Sequence, residues 1–417
     1  MTVWEDITRR TLRELETCDP LYRPTNFWGP GVRALLGELE ERGLDGFKSW
    51  PSADSWFYPF YGEGLTEDTI DQAFERTRSV APKLTRRWFG SALNGTQQAR
   101  RDFDAARLAW DQTRWPFDLE SWGESDLGQP RQRFRLTGSK AAAWTRPYLN
   151  YLLCLAALSR YVDQPPTSFL EIGGGYGVLG EIVLSRQAEA RYVDLDIPPL
   201  LTVASWYLDA LFPGRVSVYR PAIPDQGPID GIGSACLPSW RIDDVAGPFD
   251  VFINSYSFQE MEPDVVERYV SRVAAKDVTF VVSLNSRQGK PSIGEGHEIG
   301  VLEPVTSARI VAMFAEHGYE LLGAHGDPLI HAAGELVVLR RRGVVTRPAT
   351  PLVNRSERPS VNLAARTPAR GGSPGAVGHD GSGRLRRAAR DWLPPVLLRA
   401  LRAVRAWLIR RRAGPAP

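Results

Sequence analysis

Cysteine is scarce in this 417-residue chain. The three residues, Cys18, Cys154 and Cys236, are too widely spaced for a disulfide framework or a thiolate metal cluster, and they fit a reducing compartment. His317, His325 and His331 show no metal-ligand spacing, so no metal site is expected. No H-E-x-x-H, G-x-S-x-G or Walker pattern occurs, which removes the common zinc-protease, serine-hydrolase and P-loop readings. Long apolar runs are missing too. The nearest approach, 148–162, is interrupted by Asn150, Ser159 and Arg160 and reads as a buried core helix rather than a membrane span. The first ten residues, M-T-V-W-E-D-I-T-R-R, are charged where a secretory signal needs an apolar run, so a cytoplasmic location is expected.

The overall charge of +2 conceals an asymmetry. Residues 341–417 hold 17 arginines, no lysine and three acids, a net of +14, which leaves −12 on residues 1–340. An acidic body argues against nucleic acid as a partner, because phosphate contacts need clustered Lys and Arg. Within the tail, 343–383 is rich in Pro, Gly, Ser and Arg without one aromatic residue and is expected to be a disordered linker. Residues 384–412 then place Leu397, Leu401, Val404 and Leu408 on one helical face, opposite Arg399, Arg402 and Arg410. Such a basic amphipathic helix suits an anionic membrane surface, here the inner face, or an acidic partner, or the chain's own acidic body.

What is present centres on Phe169–Gly177, F-L-E-I-G-G-G-Y-G. An apolar strand runs into a glycine-rich turn and then a helix over 178–187, the opening unit of a nucleotide-binding sheet. The glycines allow a sharp turn and close approach to a ligand, and the helix N-terminus then faces it. The bland alternative is a tight strand–helix turn without a ligand. The acid Glu171, two residues before Gly173, would repel a pyrophosphate but suits a cofactor with a cationic amino-acid end, as S-adenosylmethionine has. Gly173, Gly174, Gly175, Tyr176 and Gly177 are the remaining cofactor candidates of the turn.

Strand and helix patterns alternate from there. Strands are expected at 191–196, 215–219, 249–254 and 278–284, with helices at 200–211, 263–275 and 306–317 and a closing hairpin over 319–324 and 335–340. The second strand ends in Asp194 and Asp196, about 20 residues beyond the turn, where an acid can accept ribose hydroxyls. The fourth leads into I-N-S-Y-S-F-Q-E-M (253–261). Asn254 is expected over the cofactor, Ser255 and Gln259 against an acceptor, and Glu260 as a base, unless Glu260 simply begins the next helix. Asn285 and His297 follow the fifth strand; Asn285 is expected against the acceptor, and His297 is the second candidate base, or an ordinary solvated loop histidine. The first 66 residues are dense in aromatics, including Phe27, Trp28, Trp50, Trp56 and Tyr61, which either pack an irregular subdomain or line a substrate site.

L-E-I-G-G-G-Y-G (170–177), D-I-P-P (196–199) and N-S-Y-S-F-Q-E-M (254–261), with F-W-G-P-G (27–31) upstream, resemble the sugar O-methyltransferase family, within the class I S-adenosylmethionine-dependent methyltransferases. The resemblance covers about residues 20–340 and leaves the basic tail outside. It implies an α/β fold, a Rossmann-like class I methyltransferase sheet over 136–342 with an N-terminal mostly helical cap over 1–135; the C-terminal basic amphipathic helix is a departure from the family. It also implies S-adenosylmethionine as cofactor and a sugar or glycan hydroxyl as acceptor. The residues leave two other readings open: an O-methyltransferase of a non-sugar natural product, and a non-catalytic scaffold of the same fold.

Overall fold

The computed structural model describes residues 2–62, 90, 91, 93–113, 115, 119, 122–137, 142–220, 223, 227, 229, 233–294, 298–326 and 334–344. These belong to one compact unit, Met1–Ile70 with Pro82–Pro351. The expected linker, apart from its first two residues, and the expected amphipathic helix lie outside the described residues, as does His297. No described helix is long and apolar enough to cross a membrane.

Eight strands form one sheet: β1 Ser168–Ile172, β2 Arg191–Asp196, β3 Val216–Val218, β4 Ser234–Pro238, β5 Val251–Ser255, β6 Phe280–Ser286, β7 Tyr319–Ala324 and β8 Gly334–Arg341. Their order is β3-β4-β2-β1-β5-β6-β8-β7, with β8 antiparallel to both neighbours and the rest parallel. This is a Rossmann-like, mostly parallel sheet with one antiparallel strand near its edge. The chain runs outward from β1 through β2, then returns to place β5 on β1's other side. Ligands of such sheets bind at that reversal, beyond the carboxyl ends of the strands. Strand β4 has no counterpart in the sequence expectations. Its five residues, S-A-C-L-P, are all buried and show no alternation, so a short apolar run inside the sheet carried no period to detect.

The described helices are α1 Val3–Thr17, α2 Trp28–Arg42, α3 Ala53–Trp56, α4 Thr96–Trp110, α5 Arg146–Leu158, α6 Val178–Arg186, α7 Leu200–Leu211, α8 Pro263–Ala274 and α9 Ser307–Glu316. Helices cover both faces of the sheet, as parallel strands require. One face packs α5, α6 and α7 on Phe169, Tyr192 and Ile253; the other packs α8 and α9 on Leu170, Val193 and Phe252. Helix α5 is apolar almost all round and buried along its length, in keeping with the sequence expectation for 148–162.

The aromatic N-terminal residues divide between two jobs. Phe47, Trp50, Tyr58, Phe60 and Tyr61 are buried in the same apolar cluster as α5, α6 and α7. Tyr22, Trp28 and Trp56 instead line a cavity at the sheet's carboxyl edge, and Phe57 belongs to both. Gly31 makes the second arrangement possible, because a Cβ there would stand 2.5 Å from the Trp56 ring. Helix α1 docks through Arg10, which donates to the carbonyls of Arg220 (2.6 Å) and Ile223 (2.9 Å) and lies 4.0 Å over the Tyr219 ring.

Candidate active site

The cavity holds about 420 Å³, within the range of small-molecule sites. Its floor is the glycine turn between β1 and α6. Gly173, Gly175 and Gly177 all take positive φ (71°, 66° and 85°), a backbone that side chains disfavour. Gly174 is needed for a different reason. A Cβ there would meet the carboxylates of Asp194 at 2.6 Å and Glu171 at 2.8 Å. Gly173, Gly174, Gly175 and Tyr176 line the cavity, whereas Gly177 caps α6 and packs on Leu208. The hydroxyl of Tyr176 turns away to donate to Glu124 at 3.2 Å.

Three carboxylates underlie the turn, and only one reaches the cavity. Glu171 and Asp194 are directly paired across β1 and β2, so both project to the same side of the sheet. Glu171 is fully buried and accepts hydroxyl protons from Tyr151 (2.5 Å) and Tyr192 (2.6 Å). Burial pushes its carboxyl up to about 7, against the pull of those two hydroxyls. The acid expected to meet a cationic cofactor end therefore braces the turn from beneath. Asp194, also fully buried, accepts from Gly174 N at 3.2 Å. Burial and the nearby Asp196 and Glu171 charges hold it well above the ordinary aspartate range. Asp196, two residues further along the same face, emerges at the cavity wall. One of its oxygens accepts from Gly175 N at 2.9 Å and the other from Ile197 N at 2.7 Å. Burial pushes it up to about 7, partly offset by those two amides. Its carboxylate is thus fixed in orientation by the glycine turn itself.

The opposite wall comes from the segments after β5 and β6. Ser255, Gln259 and Glu260 line the cavity. Glu260 lies in a 3₁₀ turn, Phe258–Glu260, before α8 rather than in its first turn, so the helix-start reading does not apply. It accepts from Trp28 Nε1 at 3.0 Å and pairs with Lys290 Nζ at 3.0 Å; the ammonium also sits 4.4 Å from the Phe27 ring centre. Burial raises the Glu260 carboxyl, opposed by Lys290 and the Trp28 N–H. Gln259 accepts from Ser286 N at 2.6 Å, joining the two loops.

Asn254 and Asn285, expected at cofactor and acceptor, are instead fully buried. Asn254 donates to Ile172 O (3.0 Å) and accepts from Phe258 N (3.1 Å) and from Asn285 Nδ2 (2.9 Å). Asn285 also donates to Ser283 Oγ and accepts from Gln259 N. The pair clamps the strand ends that carry the cavity loops. Asn254 shares the parity of Phe252, on the face away from Asp196, and that parity follows once β5 is placed beside β1.

Trp28 and Trp56, from the aromatic stretch read as packing or lining a site, line the cavity; Tyr256 and Arg146 line it without having been sequence candidates. Tyr256 holds a φ of 63°, an uncommon conformation for a bulky residue and one that clusters at functional sites. Arg146 had a legible signal, a cation in the first turn of a helix where the dipole disfavours it. No group of three or more His, Cys, Asp or Glu is placed to hold a metal among the described residues.

No family model matches the chain, and no curated protein does. Solved structures show limited likeness. The pyocyanin biosynthetic protein PhzM is 18% identical over 46% of this chain and 57% of its own, with a TM-score of 0.31. The mitomycin 7-O-methyltransferase MmcR is 16% identical over 47% and 58%, with a TM-score of 0.32. The magnesium protoporphyrin IX methyltransferase ChlM of Synechocystis PCC 6803, solved with bound SAM, is 10% identical over 45% and 74%, with a TM-score of 0.31. The chain thus spans less than two thirds of the first two. The geometry of the cavity itself carries the functional conclusion.

Proposed function

We propose that the protein is an S-adenosylmethionine-dependent O-methyltransferase acting on a sugar hydroxyl, in a glycan, a nucleotide sugar or a glycosylated metabolite. One observation carries this reading. A carboxylate oriented by the glycine turn, Asp196, and a half-buried carboxylate on the facing wall, Glu260, line the same cavity. Asp196 accepts the ribose hydroxyls of the cofactor. Gly173 to Gly175 let the chain between ribose and sulfur pass close to the backbone. The cofactor supplies an activated methyl group; the protein aligns an oxygen with it and removes that oxygen's proton. Glu260 takes the proton, with Lys290 and Trp28 fixing its position. The faces of Trp28 and Trp56 supply the flat apolar surface on which the C–H edges of a sugar stack. That wall also accommodates a flat natural-product alcohol, the competing acceptor class.

The test is calorimetric titration with S-adenosylmethionine, followed by a methyl-transfer screen against nucleotide sugars, glycans and aromatic alcohols with mass detection. Well-folded protein that fails to bind the cofactor would refute the proposal; transfer to aromatic alcohols alone would reassign the acceptor. Glu260→Gln is expected to lower kcat by about 10²- to 10³-fold while cofactor affinity stays within about twofold. An unchanged kcat would remove Glu260 as the base.

Binding is also expected to depend on pH. The ionised Asp196 is the form that accepts two hydroxyl bonds, and in the free protein it protonates near 7. Donors that favour the charged form lower this value in the complex. Affinity therefore rises as pH increases from about 6 to 8, with proton release on binding, and levels off above. Titrations in buffers of different ionisation enthalpy read that release; Asp196→Asn should abolish it.

A further inference from the structure

Arg146 is a cavity residue whose hydrogen bonding is incomplete. It opens helix α5, and its Nη1 donates to Phe60 O at 3.0 Å, while its buried Nε has no hydrogen-bond partner among the described residues. It forms no ion pair there either. Asp54, whose charge it feels, lines the cavity too but accepts from Phe60 N at 2.9 Å instead. Burial disfavours the Arg146 charge, and the helix dipole adds to the cost of placing a cation at that end. A partly desolvated guanidinium that lines a cavity and keeps donors beyond the one bonded to Phe60 O is complementary to a carboxylate.

Its place in the sheet narrows which carboxylate. Asp196 ends β2, whereas Arg146 neighbours Tyr256, directly after β5. Between them lies β1 with its glycine turn. Two strand spacings, on the order of 10 Å, separate the ends of β2 and β5. That matches the reach from ribose hydroxyls, through the sulfonium and three carbons, to an amino-acid carboxylate. Pro147, Asn150 and Tyr151 continue the same wall toward the turn. Glu171 is sealed beneath it and cannot touch the amino-acid end.

We propose that Arg146 receives the α-carboxylate of the cofactor, an assignment that rests on the methyltransferase reading above. The two ends of one ligand are then held by opposite charges on either side of the glycine turn, carboxylate to ribose and guanidinium to carboxylate.

Calorimetric titrations with S-adenosylhomocysteine and with 5′-methylthioadenosine, which has the same nucleoside thioether but no amino-acid end, test this on the full chain. In the wild type the first should bind more tightly. Arg146→Gln should weaken S-adenosylhomocysteine by about 10- to 100-fold and leave methylthioadenosine within about twofold. Arg146→Lys, which keeps the charge but not the fork, should fall between and guards against loss of folding in the Gln variant. Equal loss for both ligands, or no loss for either, would overturn the assignment. So would wild-type protein that binds the two alike, although the cofactor reading would survive. Wild-type protein that binds neither ligand would sink both.

Discussion

Asp196→Ala is expected to weaken S-adenosylmethionine binding by about 100-fold without destabilising the unliganded protein. The loss corresponds to two charge-assisted bonds to ribose, each contributing about 1.5 kcal/mol. The stability result is the more discriminating half. Burial raises the folded-state value of Asp196 from the ordinary aspartate value of 3.8 to about 7. Between those values the folded protein binds more protons than the unfolded chain, so this group makes stability fall as pH rises, and above about 7 the full penalty is present. Removing it should leave the melting temperature at pH 8 unchanged or higher. A variant that lost both affinity and stability would show Asp196 to be a structural brace of the turn, held by Gly175 N and Ile197 N, rather than a ligand contact. Retained affinity would contradict its ribose role outright.

Lys48→Met should have the largest effect on stability, about 3–5 kcal/mol at pH 8 in urea denaturation, because it strips the counter-charge from a buried carboxylate. Lys48 and Glu124 are both fully buried, with Nζ 2.6 Å from Oε1. Lys48 also donates to Tyr207 Oη at 2.8 Å, and Tyr207 in turn donates to Glu181 Oε2 at 2.7 Å. Thr145 donates to the other oxygen of Glu124, Oε2, and Tyr176 donates to the Oε1 that faces Lys48. The network ties the aromatic N-terminal stretch to α6 and α7. Burial pushes Glu181 up to about 7, with the Lys48 charge holding it down. Without Lys48, Glu181 resists ionisation more strongly. The deficit should therefore be smaller at pH 6, where protons replace the missing cation, than at pH 8. A loss under about 1 kcal/mol at pH 8 would mean the pair is stabilised by something other than its charge. Lys48→Met/Glu124→Gln should recover part of the loss, the signature of a coupled pair.

Local requirements of this fold are legible in the sequence. Gly173, Gly175 and Gly177 take positive φ, and Gly174 sits against two carboxylates; each demand falls on one residue, so the turn announces itself. The strand ending in Asp196 and the runs over β5 and β6 are apolar segments whose type follows from composition. Strand β4 escaped because five buried residues carry no alternation. The polar strand tips were ambiguous for a related reason. A polar residue there points either into the cleft or across the sheet, and only the pairing of β5 with β1 and β6 decides. It sent Ser255 to the cavity and the amide of Asn254 into the core.

By itself, then, the sequence determined that a strand, a glycine turn and a helix come in succession, and that an acid follows at the end of the next strand. Those are properties of backbone conformation and short-range spacing. Only the tertiary structure decided that Glu171 lies beneath the turn while Asp196 reaches the cavity, that Asn254 clamps, and that Arg146 stands at the cavity wall. Each depends on burial and on partners dozens of residues away, and desolvation is a property of the assembled fold rather than of any residue in it.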